Sequence, residues 1–510
     1  MGNKLCARAL CGTVALIAIG CSADSSAGAG SRTPTSLGPS SSVGSQATGS
    51  TSGAPTGGNG FGNSTTVATG VNSTIRNPGA APGATTTTVT SSFIWIANSA
   101  EGTVSKVDTR TLMELGRYLT TQNGKGLPSR TSVGSDGSVA VANRSNATGW
   151  MGGDGGGVIK IYASMDKCQD KNGNGVIDTS TGAKDVKPWG QDECVAWFTP
   201  INQFSNRPVS WAPAPGPDIP AKVWTSAASN CTSMTCAVDV YRLNGDTGAI
   251  EDTVNITGLT GVDFISSGFG AGGMMNPNDP LAGLLGAVGG AAGGVIDNYG
   301  AYGGASDGGG NFWLFIANTT QLVRVDALTL QWRAWPIPMG NGYGITIEGG
   351  AGGGAGRIFI CGTLGLSRFD PSTESWVSTF DNGAMAAVDL GFNGCMTDAA
   401  GKIWVGGGSD QGTNGLFGFN ADTLALVDQV SMDQMGRPMT VKGVSVDVDG
   451  GIWGVGSAGS TKMGNGNTAW RFDPATRMVA SYDGLNGAYS YSDMTGFGLT
   501  HAGFKAVPLH

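Results

Sequence analysis

The sequence predicts an all-β protein: a ring of seven four-stranded blades, closed by its C-terminal strand and preceded by a signal peptide and a disordered linker. Three observations predict it. A strand-and-turn pattern recurs seven times beyond residue 92. Glycine supplies 88 of 510 residues, which suits short strands joined by tight turns, and only 13% of residues are charged, too few for a helical protein of this length. Residues 1–91 lack the pattern altogether.

The chain opens with Lys4 and Arg8 around an apolar run from Ala9 to Ile19, too short to span a bilayer as a helix. The run ends Ala18-Ile19-Gly20-Cys21, and this junction resembles the lipobox of bacterial lipoproteins. The resemblance implies that residues 1–20 are a signal peptide and that Cys21 carries lipid. Ser22 implies sorting to the outer membrane. The other reading is an ordinary secretory signal with an incidental Cys.

Residues 21–91 are mostly Ser, Thr, Gly, Ala and Pro, with one aromatic residue, Phe61. Such a segment buries too little apolar surface to offset its ordering entropy and is expected to be disordered. Its root-mean-square reach as coil is about 45 Å, a leash between membrane and globular head.

The repeat fills residues 92–510. One strand of each unit runs into an Asp or Asn turn, as in Val104-Ser105-Lys106-Val107-Asp108, Leu322-Val323-Arg324-Val325-Asp326 and Leu366-Ser367-Arg368-Phe369-Asp370. Upstream lies an apolar strand such as Phe93-Ile94-Trp95-Ile96-Ala97 or Lys402-Ile403-Trp404-Val405. Flanking strands complete four per unit, the pattern of a β-propeller blade. The turn positions are spaced 54, 82, 82, 44, 50 and 53 residues. The two long intervals call for insertions, one flanked by cysteines at 168–194 and one Gly-rich at 269–307. The chain enters on the second strand of a blade and ends with Met494-Thr495-Gly496-Phe497-Gly498-Leu499-Thr500, which reads as the missing first strand. Lys106, Lys160, Arg242, Arg324, Arg368 and Arg471 share one register and are expected to pair with neighbouring acids or face solvent.

Composition narrows the function. The net charge is −8 with no basic block, so a nucleic-acid interface is not expected. The only histidines are His501 and His510, which argues against a Ser-His-Asp triad. Asp170-Lys171-Asn172-Gly173-Asn174-Gly175-Val176-Ile177-Asp178 follows the first nine positions of an EF-hand loop. Side chains of Asp170, Asn172, Asn174 and Asp178, with the Val176 carbonyl, are candidate ligands for a weak structural Ca²⁺. Position twelve is Thr181, with Asp185, Asp192 and Glu193 as possible substitutes; an empty Asn-Gly turn is the alternative. Six cysteines lie beyond Cys21, an even set that suits disulfides in an exported chain. Six Cys allow about 15 connectivities, and proximity favours Cys168–Cys194, Cys231–Cys236 and Cys361–Cys395.

Gly401-Lys402-Ile403-Trp404-Val405 and Val448-Asp449-Gly450-Gly451-Ile452-Trp453 make residues 92–510 resemble streptogramin (virginiamycin B) lyase-like and NHL/YncE-like propellers. That resemblance implies Mg²⁺ with channel-face His and Glu, but this chain has no His before His501. Where such propellers often place a His before Gly, it carries Tyr343, Asn393 and Lys442, the channel-face binding candidates here; Glu348 is the only nearby acid to consider. The expected function is therefore a surface-tethered, monomeric lipoprotein whose propeller binds a peptide, glycan or protein. The alternative is a lyase-like or lactonase-like enzyme with a metal held by carboxylates in the axial channel.

Overall fold

The computed structural model describes residues 93–144, 156–203, 205–214, 219–231, 235–260, 300–316, 319–338, 342–349, 356–362, 365–379, 392–407, 415–431, 441–456 and 466–498. The leader, the linker and both histidines lie outside them, as do residues 261–299.

Seven antiparallel sheets follow one another along the chain. Blade one holds β1 (Phe93–Asn98), β2 (Thr103–Asp108) and β3 (Glu114–Leu119). Blade two holds β4 (Pro128–Val133), β5 (Val139–Asn143), β6 (Gly156–Ile161) and β7 (Val195–Ile201). Blade three holds β8 (Val209–Ala212), β9 (Lys222–Cys231), β10 (Thr235–Asn244) and β11 (Ile250–Thr260). Blade four comprises β12 (Ala301–Ser306), β13 (Phe312–Ile316), β14 (Gln321–Val325) and β15 (Trp332–Pro336). Blade five comprises β16 (Gly344–Ile347), β17 (Ile358–Gly362), β18 (Gly365–Asp370) and β19 (Ser375–Ser378). Blade six comprises β20 (Phe392–Thr397), β21 (Lys402–Gly407), β22 (Gly415–Asn420) and β23 (Leu426–Ser431). Blade seven ends the ring with β24 (Val441–Val446), β25 (Ile452–Gly456), β26 (Ala469–Phe472) and β27 (Val479–Tyr482). This is a seven-bladed β-propeller. Residues 300–307 of the Gly-rich stretch 269–307 form β12 and the start of its turn.

The sequence explains why blades cannot stand alone. In β13, Phe312, Leu314 and Ile316 pack toward blade three, while Trp313 and Phe315 pack toward blade five. In β1, Ile94 and Ile96 meet blade seven, while Trp95 meets blade two. Alternate side chains point to opposite faces, so a strand buried on both sides reads as a continuous apolar run. Each fully buried large side chain contributes about 1.5–3 kcal/mol, available only when both neighbours are present. Seven clusters result, one between each adjacent pair of blades.

Aspartates organise the turns. Asp307, Asp398 and Asp447 each accept backbone N–H groups two and four residues on, then the indole N–H of the Trp six residues on, at 2.8–2.9 Å for the indole. The second turn of the repeat begins at Asp108, Asn244, Asp326, Asp370, Asn420 or Asp473. Four residues later the backbone is left-handed each time, at Leu112, Gly248, Leu330, Glu374, Leu424 and Arg477.

The basic register pairs with acids as expected at Arg242 and Arg324, whose partners Asp252 and Asp326 lie in their own blades, and it also reaches across blades. Lys106 donates to the Ala163 carbonyl, Lys160 to that of Gly245, Arg242 to that of Ala327 and Arg368 to that of Ala421. Each acceptor directly follows the repeat's turn residue in the next blade. These side chains clasp neighbouring blades through carbonyls, and Lys106 and Lys160 are buried rather than solvated. Arg471 instead bonds Asp447 within its own blade.

Closure also differs from expectation in its register. Residues 487–494, rather than 494–500, lie along the inner edge of β1. The Tyr489 N–H donates to Ala97, and the Trp95 N–H donates to Met494 at 2.8 Å. The turn around Leu485 to Gly487 brings the chain to the axis immediately after β27. Gly487 has φ +64°, and a Cβ there would lie 2.3 Å from that of Ala100. Residues 494–498 turn away, with Asp493 accepting the Gly496 N–H, and Phe497 enters the core between blades six and seven.

Two disulfides lie among the described residues. Cys168–Cys194 closes the insertion between β6 and β7, with Cα atoms 4.5 Å apart. Cys361–Cys395 joins β17 to β20 and so staples blade five to blade six, with Cα atoms 6.3 Å apart. The β9–β10 register sets Cys231 opposite Cys236, whose side chains lie outside the described residues. No described helix is long and apolar enough to cross a membrane. The disulfides fit an extracytoplasmic protein.

Candidate functional site

The inner strands place side chains at the axis by a simple device. Tyr302-Gly303, Tyr343-Gly344, Asn393-Gly394 and Lys442-Gly443 occupy equivalent positions near the start of β12, β16, β20 and β24. Tyr302, Asn393 and Lys442 stand at register irregularities of their strands, and bulges of this kind re-aim a side chain. The glycines admit the next blade: a Cβ on Gly344 would meet the Asn393 carbonyl at 2.9 Å, and one on Gly443 the Ser490 carbonyl at 1.9 Å.

Three of these residues are the sequence-derived candidates, and they meet others. Tyr489 and Tyr491 project from the closing segment. Arg130 comes from β4, Arg144 follows β5 and Arg207 precedes β8. The Tyr489 hydroxyl accepts hydrogen bonds from Tyr343 at 2.6 Å and Tyr491 at 3.5 Å, and shares one with Tyr302 at 3.0 Å. Arg144 lies 4.6 Å from the Tyr489 ring centroid, Arg207 lies 4.6 Å from that of Tyr302, and Arg130 stacks on Tyr491. The Lys442 ammonium lies 4.9 Å from the Tyr343 ring and donates to Asn393 Oδ1 at 2.8 Å. Cation–π contacts of this kind strengthen as the pair is desolvated.

The cluster is cationic and nearly dry. Arg130 and Arg207 are 1% and 2% exposed. Among the described residues, none of Arg130, Arg144 and Lys442 is ion-paired with a carboxylate. The buried Nε groups of Arg130 and Arg144 have no hydrogen-bond acceptor. Burial pulls the Arg144 guanidinium down, and the nearby Arg207 charge adds to this. Burial likewise lowers Lys442, against the pull of Tyr489. Burial pushes Tyr302, Tyr343 and Tyr491 up. The hydroxyl-bearing side chains Tyr302, Tyr343 and Tyr489 are only partly covered, so this end of the axis is reachable from solvent.

The other predicted residues lie elsewhere. Glu348 is paired with Arg357. The 170–178 loop lies in the blade-two insertion. Asp170 accepts the N–H groups of Gly173, Asn174 and Gly175. The amides of Asn172 and Asn174 both donate to Asp178 Oδ2, at 2.8 and 2.9 Å, so positions three and five of the loop converge on position nine. The amide oxygens of Asn172 and Asn174 accept the N–H groups of Asn174 and Val176, so it is the amide nitrogens that face Asp178. Glu193 instead caps the N–H groups of Lys171, Asn172 and Asp178, and Asp192 binds Thr179, Ser180 and Cys194. Asp185 accepts from Thr181 and Lys187. No group of three or more His, Cys, Asp or Glu that could hold a metal occurs among the described residues.

Sequence reading missed Arg130, Arg144, Arg207, Tyr302, Tyr489 and Tyr491. Tyr302-Gly303 carried the same signal as Tyr343-Gly344 but lay inside the Gly-rich stretch. The alternation Tyr489-x-Tyr491 precedes the segment read as the closing strand. The arginines carried no local signal.

The fold and site define a seven-bladed propeller with a cationic, tyrosine-lined axial mouth. No family model matches the chain, and no curated protein does. Similar solved structures include a functionally unknown protein from Desulfotomaculum acetoxidans, at 11% identity and TM-score 0.46, covering 79% of this chain and 98% of that one. Virginiamycin B lyase from Staphylococcus aureus is 11% identical with TM-score 0.38, covering 71% and 86%. A candidate 6-phosphogluconolactonase from Bacteroides uniformis is 11% identical with TM-score 0.46, covering 79% and 97%. These likenesses concern the fold alone.

Proposed function

We propose that this chain is a binding protein of the bacterial envelope, tethered by lipid on Cys21, whose axial Arg–Tyr cluster takes an oxyanion group of its ligand. One observation carries the reading. Three guanidinium groups and an ammonium converge at a solvent-reachable mouth, and the Nε groups of Arg130 and Arg144 lack acceptors. Guanidinium groups bind carboxylate, phosphate and sulfate through charge-assisted hydrogen bonds, and a buried donor without an acceptor is costly. The tyrosines supply hydroxyl donors and flat faces at the same rim. Calorimetry with acetate, inorganic phosphate and sulfate tests this. At least one oxyanion should bind, and Arg130→Gln should weaken it by about tenfold or more. No heat from any of the three, or equal affinity in the variant, would remove the anion from the account.

We further propose that a structural Ca²⁺ orders the Cys168–Cys194 insertion, held by Asp170, Asn172, Asn174, Asp178 and the Val176 carbonyl. What supports this is proximity: positions three, five and nine of the loop lie within hydrogen-bond reach of one another, and a rotation of each amide would turn its oxygen toward the shared centre.

A further inference from the structure

Tyr489 occupies the one place where every charge of the axial cluster meets. Arg130 on β4, Arg144 after β5, Arg207 before β8 and Lys442 on β24 surround it with positive charge. Tyr302 on β12, Tyr343 before β16 and Tyr491 in its own segment turn their hydroxyls toward its oxygen, at 3.0, 2.6 and 3.5 Å. Asn393 on β20 is neutral and holds Lys442.

Arginine does not give up its proton in proteins, so the positive charge of this cluster persists. Burying like charges without a counter-charge is strongly unfavourable. A phenol oxygen facing three other hydroxyls is best satisfied as an acceptor of all three, which leaves its own proton without a place. The phenol at the centre is therefore the group whose ionisation offsets one of the cluster's positive charges.

We propose that Tyr489 is a tyrosinate in the native protein, the built-in counter-ion of the axial cations, and that an oxyanion ligand exchanges with this charge as Tyr489 takes up a proton. The exchange rests on the anion-binding reading above; the tyrosinate itself does not. Burial by itself would raise the Tyr489 phenol, but Arg207, Arg130 and Arg144 outweigh it and bring the group down to about 6. Its three tyrosine neighbours are pushed up, so they stay protonated and donate.

Ultraviolet difference spectroscopy of the folded protein, titrated from mildly acidic to mildly alkaline pH, reads the phenolate band directly. One of the nine tyrosines should ionise near pH 6, far below the others. Tyr489→Phe should abolish that step, and Tyr162→Phe, at a tyrosine outside the cluster, should keep it. A wild-type protein without phenolate at mildly alkaline pH would overturn the tyrosinate, whether or not either variant folds. Sulfate added at neutral pH should shrink the band. Calorimetry in buffers of different ionisation enthalpy should then show about one proton taken up per sulfate bound. Sulfate binding with an unchanged phenolate would overturn the exchange and leave the anion site standing. A phenolate with no sulfate heat would support the tyrosinate and overturn the exchange.

Discussion

At the scale of residues, the buried cations show how one sequence register is used twice. Lys106 lies under Phe93, 4.1 Å from its ring centroid, and donates to the Ala163 carbonyl of the next blade. Burial lowers its ammonium from 10.5 to about 8, with Asp108 opposing. The unfolded chain therefore binds the proton more tightly than the folded one. The charge penalty is full below about pH 8 and is relieved as pH rises toward 10.5. At about 1.4 kcal/mol per pKa unit, the shift corresponds to roughly 3 kcal/mol. Lys106→Met removes this dependence. Chemical denaturation should show wild type gaining on the variant by up to about 3 kcal/mol between neutral pH and pH 10.5. A constant difference would show that Lys106 is not desolvated. Tyr489 acts with the same sign, its folded pKa again lying below its unfolded one, but the cause is the neighbouring guanidinium charges, which outweigh burial. Its contribution is full above pH 10, falls as pH drops, and is gone below about pH 6.

At the scale of elements, turns and insertions divide what was readable from what was not. The Asp and Asn turns that follow the strands were legible because Asx geometry is local, but the indole N–H that Asp307, Asp398 and Asp447 each accept was not. The clasps made by Lys106, Lys160, Arg242 and Arg368 were not legible, because their acceptors are backbone carbonyls one blade away, which carry no sequence signal. The 170–178 loop was legible as a spacing, but the partners of Glu193 and Asp192 were not, since those acids return across the Cys168–Cys194 link. With two charged ligands and no acid at Thr181, Ca²⁺ affinity should fall on the order of 10⁻⁴ to 10⁻³ M. Calorimetry at millimolar Ca²⁺ should give heat that Asp170→Ala abolishes. Equal heats from both proteins, or none from wild type, would leave the loop held by its own hydrogen bonds.

At the scale of the molecule, the ring is closed by contacts from both ends of the described chain. Ala97 and Trp95 bond to Tyr489 and Met494, Arg110 pairs with Asp449 at 2.7 Å, and Tyr482 donates to Glu114. Thr131 and Ser492 exchange hydrogen bonds, so the closing segment also holds blade two. If Cys21 anchors this ring, membrane-extracted protein should show the mass of a chain beginning at Cys21 plus two or three acyl groups. A mature chain starting elsewhere and found wholly in the soluble fraction would refute the tether.

The strands, their turns and the number of blades were legible in the sequence, because each depends on residues near one another in the chain. Period-two burial and Asx turns are local instructions. The cysteines left their pairing open, and the fold brings Cys168 to Cys194 and Cys361 to Cys395. Tertiary structure alone decided the axial cluster. Tyr343, Asn393 and Lys442 were legible through the glycine that follows each, yet what they face was not. Arg130 and Arg144 come from blade two, Arg207 from blade three, Tyr302 from blade four and Tyr489 from the closing segment, and only ring closure sets them within reach of one another. Their combined charge is a property of that convergence: each is unremarkable where it stands in the chain, and together, out of water, they change which proton Tyr489 can keep.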